Sequence, residues 1–343
     1  MNLKKRFTPF KYRVFNVLLL LLFMPQTIML SCKTEKQLQD DKVVIVENKT
    51  PILEYEIKSS LGEGAFWNHK TKELYWIDIE DKKIHIYNPK TKKNKSFSTP
   101  SRVGTVVPYN ETEAVIALED GIYKINTDLG DFSLLANVEA NMIENRFNDG
   151  KCDPSGNLWV GSMHLEQTKP NASLYKINEE GEVLKMLGNI TISNGIVWTS
   201  SGEIMYYIDT PTGNIRAFDF DVKTNTIKNE RIVIKVPVSL GYPDGMTIDE
   251  DDMLWVGLWN GNAVARFNPI TGQLISKIEI PAHNVTSCAF GGDNLETLYV
   301  TTASVDMTEE EKKQYPLSGS VFSVNPGVKG VKSSFFGNQN NLK

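Results

Sequence analysis

From about Ile52 onward, short apolar and aromatic runs recur between polar, turn-forming stretches. The clearest are Leu74-Tyr75-Trp76-Ile77, Ala114-Val115-Ile116-Ala117, Leu158-Trp159-Val160, Met205-Tyr206-Tyr207-Ile208, Leu254-Trp255-Val256 and Leu298-Tyr299-Val300. Their brevity and their β-branched and aromatic content read as strands, and pairs such as Ser155-Gly156, Ser201-Gly202 and Asp251-Asp252 set turns before several of them. Measured from Leu74, Ile116, Leu158, Met205, Leu254 and Leu298, the steps are 42, 42, 47, 49 and 44 residues. A period of roughly 40–50 residues built from short strands is that of a propeller blade, so six repeats predict an all-β, six-bladed β-propeller. Ile84-His85-Ile86-Tyr87, Gly121-Ile122-Tyr123-Lys124-Ile125 and Ala263-Val264-Ala265-Arg266-Phe267 supply further strands between the repeats. Helical periodicity is nearly absent, apart from the capping-box spacing Thr308-Glu309-Glu310-Glu311, which opens a short helix ending near Gln314. Two sandwiches are the competing all-β arrangement. Even spacing and the lack of a linker in the middle favour one ring, which leaves only short protected sheet edges.

The first 31 residues follow a different pattern. Lys4, Lys5, Arg6, Lys11 and Arg13 precede the apolar stretch Val14–Met24, which contains five consecutive leucines. A basic head before a short apolar run reads as a secretory signal over residues 1–31. Met29-Leu30-Ser31-Cys32 resembles a bacterial lipobox, which makes Cys32 a candidate lipidation site and the periplasm or outer membrane the expected location. Ordinary cleavage near Ser31 and an uncleaved anchor are the alternatives. Residues 32–51 read as a polar tether, interrupted by Val43-Val44-Ile45-Val46, a possible stray strand, and residues 52–343 as the propeller.

Composition narrows the partners. The 343 residues are 41% hydrophobic and 23% charged, as in a globular protein, and the net charge of -5 argues against nucleic acid. Cys152 and Cys288 lie in apolar, strand-like surroundings and read as buried free thiols without metal-ligand spacing. Oligomeric state is not legible.

The common hydrolytic motifs are missing: no Gly-x-Ser-x-Gly elbow, no Walker loop, no His-Glu-x-x-His and no paired-cysteine zinc site. The four histidines are scattered. Polar residues beside glycine recur instead where blades begin: Gly62-Glu63-Gly64, Asn148-Asp149-Gly150, Asn194-Gly195 and Asp244-Gly245. Any single pair is most simply a turn. In a ring, however, the innermost strands converge on one axis, so Glu63, Asn194 and Asp244 would present two carboxylates and an amide oxygen to one point. That oxygen set suits a hard dication such as Ca²⁺, Mg²⁺ or Mn²⁺, which also offsets the repulsion between buried acids.

These stretches, with Trp67, Asp78, Asn145-Arg146-Phe147-Asn148-Asp149-Gly150-Lys151, Tyr242-Pro243-Asp244-Gly245-Met246 and Thr286-Ser287-Cys288-Ala289-Phe290-Gly291-Gly292, resemble the regucalcin, gluconolactonase and luciferin-regenerating-enzyme family of six-bladed propellers. The resemblance runs from about Ile57 to Phe322. It implies that Glu63, Asn194 and Asp244 bind one divalent cation, Ca²⁺ foremost with Mg²⁺, Mn²⁺ or Zn²⁺ as alternatives. It also implies that Arg146, Asn148 and Glu166 contact a sugar-like substrate. The expected activity is hydrolysis of a sugar lactone. The cation would polarise the carbonyl, and either Asp244 as general base or metal-bound hydroxide would supply the nucleophile. A calcium-dependent phosphotriesterase or esterase and a non-catalytic metal-binding envelope propeller are the rival readings.

Overall fold

A computed structural model describes residues 45–46 and 49–337, so the stretch expected to be a signal, Cys32 and most of the expected tether lie outside the described residues. The part that is described is all-β apart from one α-helix and two short 3-10 turns, and its sheets form six four-stranded blades, one of them extended by a fifth strand. Blades 1 to 5 begin with innermost strands Gly62–Asn68, Val103–Pro108, Asn145–Cys152, Ser193–Trp198 and Tyr242–Ile248. Blade 6 begins with Asn284–Gly291. Each innermost strand packs on the next, and the sixth packs on the first, which closes the ring. The predicted repeat runs are the second strand of every blade, from Glu73–Asp78 to Thr297–Ala303. They are almost wholly apolar because they lie between neighbouring strands and are covered on both faces.

Closure uses a strand that precedes blade 1 in the chain. Blade 6 takes its outermost strand from Ile52–Tyr55, which pairs antiparallel with Val321–Val324. Glu54 then ties the blade 6–blade 1 seam, accepting from Tyr87, Lys92 and Ser323. The apolar run within the tether does form a strand, Ile45–Val46, which adds in parallel to the outer edge of blade 5. The capping box is present: Thr308 Oγ1 accepts from the Glu311 N–H and Glu311 accepts from the Thr308 N–H, opening the helix Glu309–Gln314.

Large aromatics fill the spaces between sheets, with Trp76, Trp159 and Trp255 fully buried. In blades 3 and 5 the indole donates 2.9 Å to an aspartate six residues earlier, Asp153 or Asp249, which also accepts from the N–H groups of the adjoining turn. Both described cysteines are buried free thiols.

Candidate metal and substrate site

All six innermost strands carry a break in register near their starts: at 63–66, 103–105, 147–149, 194–196, 243–246 and 285–288. The polar-glycine pairs are therefore bulges inside strands rather than turns between them. A bulge re-aims a side chain out of the pleat, and here it turns four polar side chains toward one end of the ring. The glycines are required by packing. A Cβ on Gly195 would lie 2.7 Å from the Asp244 carbonyl oxygen, and one on Gly245 would lie 2.7 Å from Ser287 Oγ.

One cavity of about 190 Å³ opens at that end, and Glu63, Arg146, Asn148, Asn194 and Asp244 all line it. All five are buried, none being more than 7% exposed. They are linked by hydrogen bonds. Arg146 Nη1 donates to Asn148 Oδ1 (2.6 Å) and to the Phe147 carbonyl (3.0 Å). Asn148 Nδ2 donates to the Ser193 carbonyl (2.7 Å) and to Asn194 Oδ1 (3.1 Å). Asn194 Nδ2 donates to Thr210 Oγ1, which donates onward to the Pro243 carbonyl, both at 2.8 Å. Blades 3, 4 and 5 are thus joined through the side chains that would touch a ligand, and such a chain fixes their orientation.

The electrostatics disfavour the ionised form of both acids. Burial, then the charge of Asp149, pushes the Glu63 carboxyl up; burial, then Glu63, pushes Asp244 well up. The two side chains interact directly. Neither has an ion pair among the described residues; Arg146 acts on Glu63 only as a nearby charge, its own guanidinium being held down to about 10 by burial. Two buried acids and an amide oxygen on three converging strands match the donor set of an oxygen-liganded dication, whose charge would offset the penalty that raises both acids. Among the described residues no group of three or more His, Cys, Asp or Glu stands together as an alternative.

Glu166 is not brought into this cavity. It is exposed on the turn closed by the Gln167 N–H on the His164 carbonyl, and only its neighbours Leu165 and Gln167 reach the lining. Two acids that do line the wall, Glu80 and Asp306, carried no signal in the sequence. Glu80 is the one held by a defined partner. It lies just past the second strand of blade 1, and Arg102 Nε donates 3.0 Å to each of its carboxylate oxygens while Nη1 holds Glu119 at 2.9 Å. Leu61, Met163, Ile192, Trp259 and Val305 supply the apolar part of the wall.

The family described as SMP-30/Gluconolactonase/LRE-like region matches residues 61–304. The chain belongs to this family. Among its relatives, the Bacillus subtilis protein YvrE, which carries the name of a sugar lactone lactonase, is 40% identical over 274 residues, 79% of this chain and 93% of YvrE. A regucalcin from Agrobacterium tumefaciens, described as a calcium-binding protein, superposes with a TM-score of 0.81 at 25% identity, covering 84% of this chain and 97% of that one. A luciferin-regenerating enzyme superposes at 0.76 with 34% identity, over 84% and 99% of the two chains. The family match begins at Leu61, just before Glu63, and takes in all six innermost strands.

Proposed function

We propose that the chain hydrolyses a sugar lactone to the open aldonic acid, using one divalent cation held by Glu63, Asn194 and Asp244. The observation that carries this reading is the juxtaposition, in one cavity, of two acids raised first by burial and then by neighbouring acidic charge with an Arg146–Asn148 pair. A calcium-binding regucalcin and a lactonase-named relative point the same way, with Ca²⁺ the first candidate. A cation there supplies Lewis-acid polarisation of the lactone carbonyl. Arg146 and Asn148, held rigid by their own hydrogen bonds, orient the ring hydroxyls and exchange translational freedom for fixed geometry. Asp244 accepts the proton of the attacking water. As the water oxygen bonds to the carbonyl carbon, the ring C–O bond breaks and that proton passes to the departing ring oxygen. Apolar residues Leu61, Met163 and Ile192 limit water in the cavity. We also propose export on the N-terminal signal, with Cys32 as the lipid anchor.

The test is acid release from a panel of aldonolactones, with a phosphotriester as the rival substrate. Chelation should abolish lactone turnover and added Ca²⁺ should restore it. Turnover that survives chelation, or that favours the phosphotriester, defeats the reading.

A further inference from the structure

The innermost strands of blades 3, 4 and 5 do not end at the site just described. Arg146 and Asn148 line the first cavity, and Lys151 and Cys152, farther along the same strand, line a second one. Asn194 is followed in the same way by Val197 and Trp198, and Asp244 by Thr247 and Ile248. At about 3.3 Å per residue the second cavity lies roughly 10 Å beyond the first, toward the opposite end of the strands. Its volume is about 380 Å³, twice that of the first. The segment after blade 6 forms one wall. It is pinned by Gly330 N–H on the Leu295 carbonyl, Val331 N–H on the Ile248 carbonyl and Gly337 N–H on the Gly156 carbonyl, with Ser334 bridging to Cys152.

In a chain of net charge -5, no aspartate or glutamate lines this cavity, whereas Lys151 and Lys332 both do. Asp149, buried two residues away, bears on Lys151, and the other acids nearby are held by their own partners. Asp153 accepts from Asn157 and Trp159, and Asp252 accepts from Ser200. Lys151 adds its charge while its Nζ donates to the Met246 carbonyl. The hydroxyls of Thr247, Ser333 and Ser334 have no hydrogen-bond partner among the described residues, and Lys332 lies exposed at the rim, its charge also bearing on His69. Val197, Ile248 and Trp198 supply an apolar part of the same lining, the last held edge-on by Trp159 and Phe220. Cationic and hydroxyl donors sharing one lining with apolar side chains suit a ligand with a negative head and a carbon frame.

We propose that this second cavity binds a small organic anion, a hydroxylated carboxylate, through Lys332, Thr247 and the 333–334 hydroxyls. The probes are D-gluconate, butyrate and inorganic phosphate, titrated calorimetrically into the full chain in the presence of chelator. D-gluconate should bind tightest, butyrate more weakly for want of hydroxyl partners, and phosphate weakest because it leaves the apolar wall uncovered. Lys332→Glu, a change at an exposed position, should weaken D-gluconate at least about tenfold, reversing one charge contact. Thr247→Val, which keeps the buried shape, should weaken it severalfold. Asp244→Asn should leave it unchanged. No binding of D-gluconate, phosphate binding as tight as D-gluconate, or unaltered affinity in Lys332→Glu overturns the proposal. So does loss of binding in Asp244→Asn with retention in Lys332→Glu, which puts the anion in the first cavity.

Discussion

Asp244 and Thr247 stand three residues apart on one strand, yet they face cavities of opposite character. The cavity at Asp244 is lined by Glu63, Glu80, Asp244 and Asp306 against Arg146; the one at Thr247 is lined by two lysines and no acid. Both are built on the same backbone scaffold, so the difference comes from which side chains the innermost strands present along their length. At the start of the strands, bulges crowd acids together and burial raises them, so that end favours either protons or the cation proposed above. Toward the far end the pleat is regular and the polar groups are donors. If the second cavity binds an anion as proposed, one frame carries two sites of opposite charge preference.

The strongest break in this comparison is Asp244→Asn. Lactone turnover should fall by roughly 10²–10⁴, the usual worth of a positioned proton acceptor, with cation affinity reduced, while the folded ring persists because a repelling charge is removed. Steady-state rates and calcium titration check both halves, and a wild-type rate removes Asp244 from the mechanism. Next in size is a pH effect on the cation-free protein. The Glu63 carboxyl moves from its ordinary 4.5 to about 8 in the folded state, so the folded protein holds that proton more tightly than the unfolded chain. Its stabilising contribution is complete below pH 4.5 and is lost as pH rises through about 8. Thermal unfolding with chelator should shift to lower temperature across that window, and Ca²⁺ should largely cancel the shift. A midpoint that rises with pH, or one indifferent to Ca²⁺, contradicts the acid cluster. The smallest effect is Gly195→Ala, which presses a methyl against the Asp244 carbonyl and should destabilise by about 1–3 kcal/mol. Denaturant unfolding measures this; an unchanged midpoint means the blade 4–blade 5 contact is looser than 2.7 Å implies.

Much of this was legible in the chain. The spacing of the apolar runs yielded six blades because each run is the fully covered second strand of its sheet, the position with the strongest apolar demand. Glu63, Asn194 and Asp244 were legible as a set because glycine beside a polar residue recurs at equivalent points. Taken singly those pairs looked like turns, since Asn-Gly and Asp-Gly serve turns and bulges through the same backbone freedom. Glu80 was invisible: its position depends on Arg102, 22 residues away in the next blade, and no local pattern carries that pairing. Glu166 falls on an exposed turn outside the cavity lining, because a match in register says nothing about which way a turn faces. The second cavity was equally hidden, since one of its walls comes from a segment more than 80 residues beyond the strands it covers.

Because Ile52–Tyr55 completes blade 6, the fold has no blade that can peel away from a free end. Opening any one sheet means opening the whole circle, which favours a single sharp unfolding transition over a frayed series. The same stitch makes the beginning of the domain intolerant of trimming. Losing those four residues would bare the hydrogen-bonding edge of Val321–Val324, a surface ready to recruit a strand from another molecule.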